Sequence, residues 1–253
     1  VWVIVTNKAE LQNDMKYLSH SLVIILAAVL AWSPQLHAEQ SDFVSGEMSD
    51  TELDARLKFI GNRVTDQRPG ARNWQYGWTG FHAASAAGQA LLAVDADDSD
   101  DEIKYLVGAA KSTGALAQMM IKPLPVVQGA IGFHEMPSRT REERIAKLAQ
   151  GESLLHVSAE RAASRKGWKR HLIGIGANLL GGGIIAAFGD SSDAISSTLV
   201  GITVAEINIW TQPSRAVNDL EDYQNNRWAN GQKNRVDWQI IPAHNRLMVK
   251  ITF

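Results

Sequence analysis

No cysteine occurs in the 253-residue sequence. That excludes disulfides, thiol nucleophiles, cysteine-ligated zinc and cysteine-held iron–sulfur clusters together. An excess of either charge is lacking as well: 25 Lys and Arg stand against 27 Asp and Glu, a net charge of -2. No global field draws such a chain to a polyanion, and nucleic acid is not an expected partner. Charge is also locally scarce, since residues 74 to 94 and 171 to 189 contain no Asp, Glu, Lys or Arg. With 45% hydrophobic residues, the chain has enough apolar side chains for a sizeable core, and intrinsic disorder is excluded.

Catalytic signatures are missing in the same way. Gly174-Ile-Gly176 follows no strand pattern and meets no third glycine in position, so it is not a dinucleotide loop. Gly108-Ala-Ala-Lys-Ser-Thr113 ends like a P-loop, yet Tyr105 and Ala110 stand at both obligatory glycine positions. His134-Glu135 lacks the second histidine of a metalloprotease helix and reads as loop. No cofactor is expected, and a non-enzymatic role is expected over an enzymatic one.

Two acidic sets remain as metal candidates. Residues 95 to 102 hold six carboxylates in eight positions, and Asp95, Asp97 and Asp101 are the candidate ligands of a hard cation such as calcium. The run is not an EF-hand: counted from Asp95, Asp100 falls where glycine is required and Leu106 where glutamate is required. A solvated turn that caps helix N-termini is the competing expectation. Glu152, His156 and Glu160 share a helical face at i, i+4 and i+8. No motif marks the further ligands a metal would need, so a solvated face is expected there.

The first 38 residues read as an export signal. Lys16 forms a positive n-region, Leu22 to Trp32 is an apolar run of h-region length, and Leu36-His37-Ala38 offers a cleavage site before Glu39. Fourteen residues with Glu10 and Asp14 precede Met15, which makes Met15 the expected start of translation. The expected mature chain begins at Glu39, in the periplasm or envelope of a Gram-negative bacterium.

From residue 39 to about 235 the pattern is helical. Ser49-Asp-Thr-Glu52 is a capping box, and Leu53, Leu57, Ile60 and Val64 follow at helical spacing. Gln67-Arg-Pro-Gly70 is expected to stop this helix. Residues 74 to 94 are rich in Gly and Ala, the acidic turn follows, and a second apolar helix runs from Ile103 to Ile121 until Pro123 and Pro125. After a looser stretch from Pro123 to Pro137, a second capping box at Thr140-Arg-Glu-Glu143 opens a polar helix to about Lys166. His171 to Gly189 and Ala194 to Thr211 form another apolar hairpin around Asp190-Ser-Ser-Asp193, with Pro213 as its stop.

The two hairpins, at about 74–127 and 168–217, read as an internal repeat. Trp74 matches Trp168, Asp98-Ser-Asp-Asp101 matches Asp190-Ser-Ser-Asp193, and Leu106-Val-Gly108 matches Leu199-Val-Gly201, all in the same order. The fold class expected is therefore mainly α: four apolar, small-residue-rich helices as duplicated hairpins, two amphipathic helices, and a C-terminal β-hairpin at 236–253. Val236, Trp238 and Ile240 alternate, as do Leu247, Val249, Ile251 and Phe253. This last strand resembles the C-terminal signal of Gram-negative outer-membrane β-barrels. The resemblance covers fewer than ten residues, and nothing upstream supplies the roughly eight strands of the smallest barrel; a hairpin covering the helical bundle is the expectation.

The apolar stretches approach the ~20 residues that cross a bilayer. Trp74, Trp78, Trp168 and Trp210 lie at the ends away from the acidic turns, beside Arg72, Lys122, Lys169, Arg170 and Arg215, as in a membrane-interface belt. Lys104 and Lys111 make the first hairpin a poor span, so the second is the better candidate. Export to the periplasm would place the basic ends outside, against the positive-inside rule, and a soluble exported bundle avoids that conflict. Between Lys122 and Arg170 ten Lys and Arg stand against five Asp and Glu, so residues 138–170 are expected to meet anionic lipid or an acidic protein partner. The small-residue helix faces are expected to support a homo-oligomer.

The expected function is that of a non-enzymatic, exported, membrane-associated envelope protein with a structural or interaction role. The alternative is a transport or small-ligand-binding element in which Glu206, Lys111 and His82 form a polar site between the hairpin repeats. An envelope hydrolase ranks third, because no nucleophile, base and orienting residue can be assembled.

Overall fold

The computed structural model describes residues 48–229 and, beyond them, the backbone of two short strands. The expected signal segment 1–38, with its start at Met15 and cleavage before Glu39, lies outside the described residues. The described chain is mainly helical. The helices are α1 (Asp50–Val94), α2 (Ser99–Ile121), α3 (Pro125–Glu135), α4 (Arg141–Lys166), α5 (Trp168–Phe188), α6 (Ser191–Thr211) and α7 (Arg215–Gln224). The backbone of β1 (Asp237–Ala243) pairs antiparallel with β2 (Arg246–Thr252), with Ile240 opposite Val249.

The chain divides into two compact units. One, here the basal unit, takes residues 48–78, 122–173 and 204–229 of the described chain. The other, the hairpin unit, takes Thr79–Ile121 and Gly174–Thr203.

In the basal unit, the front of α1 buries Leu53, Phe59, Ile60, Val64, Ala71 and Trp74. These recur at helical intervals on both sides of Pro69, and α1 runs through that proline. The expected stop at Gln67-Arg-Pro-Gly70 is thus corrected. Proline removes a backbone donor and crowds the preceding turn, but the buried face extends across it to Ala71 and Trp74, and tertiary packing outweighs the local penalty. Around Pro69, Gln67 donates to Asp219 Oδ2 at 2.6 Å and Arg68 to the Val127 carbonyl at 3.1 Å.

The stretch expected to be loose after Pro123 is largely helix α3. Pro125 occupies its first turn, where a missing N–H costs nothing, and Gln75 Oε1 accepts the Leu124 N–H at 2.7 Å. Val126, Val127, Ala130 and Phe133 are buried on α3. His134, read as loop from the sequence, therefore sits on a helix, with Nε2 3.0 Å from Thr65 Oγ1. Helix α4 opens with the expected capping box: Thr140 accepts from the Glu143 N–H, and the Glu143 side chain accepts from the Thr140 N–H. Gly151 permits a close approach, since a Cβ there would lie 2.7 Å from the Phe133 ring and 3.0 Å from Ile60.

In the hairpin unit the packing is thinner. Its buried cluster is Val107, Ile185 and Ala194, with Ile103 and Ile184 against it. Small residues bring the helices together: a Cβ on Gly182 would lie 1.9 Å from Thr198 Oγ1, and one on Gly108 would lie 1.5 Å from Gln89 Oε1. Both acidic turns cap the helix that follows. Asp98 Oδ1 accepts from the N–H groups of Asp100 and Asp101, and Asp190 Oδ1 from those of Ser192 and Asp193.

Candidate membrane surface and polar clusters

Two helical runs among the described residues, Trp168–Phe188 and Ser191–Gln224, are long and apolar enough to cross a membrane by length and composition. The apolar part of the second is α6. Only 22% and 6% of their most apolar windows are buried by the rest of the chain. Leu172, Leu179, Leu180 and Phe188 on α5 and Ile195, Leu199, Val200 and Ile207 on α6 are exposed. A core helix of a globular domain would bury these side chains, each worth roughly 1.5–3 kcal/mol on removal from water.

The ends of this hairpin away from Asp190 carry aromatic and polar groups. Trp168 and Trp210 are 67% and 70% exposed. Glu206, which the sequence placed in a polar site with Lys111 and His82, has aromatic neighbours. His171 Nδ1 lies 2.8 and 3.0 Å from its two carboxylate oxygens, and Trp210 Nε1 donates to Oε2 at 3.1 Å. Trp74 and Trp78 both donate their indole N–H to Thr211 Oγ1, at 3.2 and 3.3 Å. His82 is buried in the hairpin unit, with its ring edge-on to Phe81 at 5.3 Å.

Lys111 reaches two neutral acceptors in the hairpin unit, Asn178 Oδ1 at 3.3 Å and Ser197 Oγ at 3.1 Å. The acidic turn that opens α2 is engaged in structure. Asp98 caps α2, and Asp101 pairs with Lys104, which also reaches Asp193 Oδ2 at 3.1 Å. Among the described residues no group of three His, Asp or Glu side chains stands where it could hold a metal ion. Asp95 and Asp97 are exposed.

The basal unit contains a charged cluster that the sequence did not disclose. Arg63 Nη2 donates to Asp222 Oδ2 at 3.3 Å, and its Nε stands 3.3 Å from Asp219 Oδ1 without aiming its N–H there. Arg215 lies 3.6 Å from Asp219, and Arg227 donates to Asp222 Oδ1 at 2.6 Å. Tyr223 donates to Glu152, and the Arg56 guanidinium lies 3.5 Å from the same oxygen. Burial pushes the Asp219 carboxyl up to about 6, against the pull of Arg63, Arg215 and Gln67, with Asp222 adding to the rise. Burial and the Glu152 carboxylate raise the Tyr223 phenol. Of the Glu152, His156 and Glu160 set, Glu152 enters this network, while Glu160 is exposed. The signal that could have found it is the spacing of Arg56 and Arg63 among Phe59 and Ile60, and of Arg215, Asp219 and Asp222 at i, i+4 and i+7.

This cluster matches carboxylates with guanidiniums and presents no nucleophile with a base and an orienting partner. The neighbouring cavity, lined by Gln67, Ser158 and Arg215 among others, holds about 20 Å³, room for a single water. Its chemistry is that of a clasp between α1, α4 and α7. The basic helix α4 is likewise partly turned inward. Arg141 pairs with Asp50, Arg144 with Asp50 and Asp54, and Arg165 donates to the Lys122 carbonyl at 3.0 Å while lying over the Trp74 ring. Burial, then Arg170 and Arg161, pull the Arg165 guanidinium below its ordinary value.

Comparison of the chain with protein-family models, with curated proteins and with solved structures gave no match. The class defined by fold and surface is a helical bundle with one hairpin apolar enough to enter a membrane.

Proposed function

We propose that the protein is a non-enzymatic, exported cell-envelope protein that associates with a membrane through the α5–α6 hairpin and serves a structural or interaction role. The observation that carries this reading is the hairpin itself: two apolar helices whose large aliphatic side chains the chain leaves uncovered. Trp168 and Trp210 at its basic end fit the headgroup level. Arg161, Arg165 and Arg170 lie close enough to repel one another, which supports an anionic lipid or an acidic partner for residues 138–170. Homo-oligomers through small-residue helix faces belong to the same reading, as does duplication of the hairpins, supported by the matching Asp98 and Asp190 caps. The β1–β2 pair, with Trp238 opposite Ile251, is proposed as the hairpin that covers the bundle.

Flotation with liposomes and carbonate extraction of envelope fractions test the membrane reading. The full chain is expected to float with vesicles in both low and high salt and to resist carbonate. Release by salt or carbonate alone would remove insertion and leave surface attachment or a soluble bundle.

A further inference from the structure

Lys104 and Lys111 lie seven residues apart on one face of α2, and their surroundings differ in a way that points to a ligand. Lys104 is neutralised by Asp101 and Asp193. Lys111, two turns further on, meets Asn178 Oδ1 and Ser197 Oγ, and no carboxylate lies within 4 Å of it among the described residues. Lys111 is partly buried, and an ammonium partly shielded from water without a counter-charge favours an anion beside it.

The neighbourhood is built around this side chain. A Cβ on Gly181 would lie 3.1 Å from Lys111 Cδ and 3.2 Å from Val107, so glycine there makes room for the lysine stem. A Cβ on Gly201 would lie 1.8 Å from Asn178 Oδ1, so glycine there makes room for the amide that orients it. The remaining polar groups are already committed. Asn178 Nδ2 donates to the Gly174 carbonyl at 2.9 Å, and Thr198 Oγ1 donates to the Ala194 carbonyl at 2.7 Å. Lys111 has three N–H donors and uses two, while Ser197 accepts from Lys111 and keeps its own O–H to give. One ammonium N–H and the Ser197 O–H thus stay free to give, on two groups hydrogen-bonded to each other at 3.1 Å, while the neighbouring donors are committed.

We infer that Lys111 and Ser197, with Asn178 orienting the ammonium, form a binding site for a small monovalent anion, either a halide or one oxygen of a carboxylate. A cation would be repelled by the Lys111 ammonium. A multiply charged anion would exceed the single charge available.

The test uses the full chain purified in non-ionic detergent, with sodium methanesulfonate replaced stepwise by sodium chloride or sodium acetate at constant ionic strength. The melting temperature is expected to rise by about 2–4 °C as chloride or acetate replaces the bulkier anion. The salt that acts assigns the ligand class: chloride alone indicates a halide site, acetate alone a carboxylate site. Lys111→Met should abolish the shift and Ser197→Ala should reduce it. Chloride-35 line broadening gives a second readout on Ser197→Ala, which keeps the charge, should Lys111→Met fail to fold. A flat response to both salts overturns the site. So does a shift undiminished in Lys111→Met, or line broadening undiminished in Ser197→Ala.

Discussion

The basal and hairpin units solve the same packing problem with opposite materials. In the basal unit large apolar residues such as Leu53, Ile60 and Leu155 are almost fully buried, and Arg63, Asp219 and Asp222 are buried among them as an ion-paired set. In the hairpin unit the buried cluster is small, glycines bring the helices together, and Leu179, Leu180, Leu199 and Val200 face outward. A unit that buries its leucines carries its own hydrophobic stabilisation. A unit that exposes them relies on close helix approach and on whatever covers that surface, which is the arrangement used inside lipid.

The strongest way to break this comparison is at the basal clasp. Arg63→Ala leaves Asp219 and Asp222 buried with fewer partners, and removing one member of a buried pair costs about 3–5 kcal/mol. Chemical denaturation of variant and parent should show a loss of that size. A loss below about 1 kcal/mol would mean that the clasp is solvated and the two units are not so different.

The next test exchanges a residue that the hairpin exposes. Leu199→Lys on α6 should leave stability in detergent-free buffer within about 0.5 kcal/mol, because the side chain is 62% exposed. It should nevertheless weaken vesicle binding, since a central lysine costs about 3 kcal/mol on insertion, roughly a hundredfold in partitioning. Equal flotation of variant and parent would mean that α6 does not enter the bilayer.

What the sequence disclosed and what it hid follow the same division. The hairpin unit was legible because its features are local: uncharged runs, Gly and Ala in place of bulk, and Asp-Ser turns that cap the next helix. The Thr140 capping box was legible for the same reason. The basal clasp was hidden because Arg63 and Asp222 are 159 residues apart, and a charged residue on a helix reads as solvated until a distant partner is placed on it. The continuity of α1 through Pro69 was hidden likewise, since the local penalty is visible in the sequence and the buried face at Ala71 and Trp74 is a tertiary fact. Glu206 stood out as the one charge between Ala194 and Thr211, but its partner His171 carried no mark beyond standing at the start of the opposite helix.

The charged interior of the basal unit also predicts a pH dependence. Asp219 titrates in the folded state at about 6, above the roughly 3.9 of an unfolded chain. The folded protein therefore holds this proton more tightly than the unfolded one. Its contribution to stability is greatest below about pH 4, falls as pH rises to about 6 and is constant above. The change is about 2–3 kcal/mol at most. Asp219→Asn keeps a neutral side chain at that place, and denaturation midpoints measured between pH 4 and 7 should lose this downward slope. A variant with the parent's slope would assign the titration to another group.

The smallest effect is expected at the one charged junction described in the hairpin unit. Lys104 reaches Asp101 and Asp193, which occupy matching positions in the two Asp-Ser turns. Its side chain is 24% exposed and that of Asp193 30% exposed, so water and salt screen the pairs. Exposed pairs of this kind contribute about 0.2–1 kcal/mol. Lys104→Met should therefore cost less than about 1 kcal/mol, and the loss should shrink further in 0.5 M salt, where the screening length is well below 10 Å. This sets the scale against Arg63→Ala, because both substitutions remove a cation shared by two aspartates and differ in how deeply the aspartates are buried. A loss at Lys104 as large as at Arg63, unaffected by salt, would show that the turn end of the hairpin unit is as dry as the basal clasp and would erase the contrast between the two units.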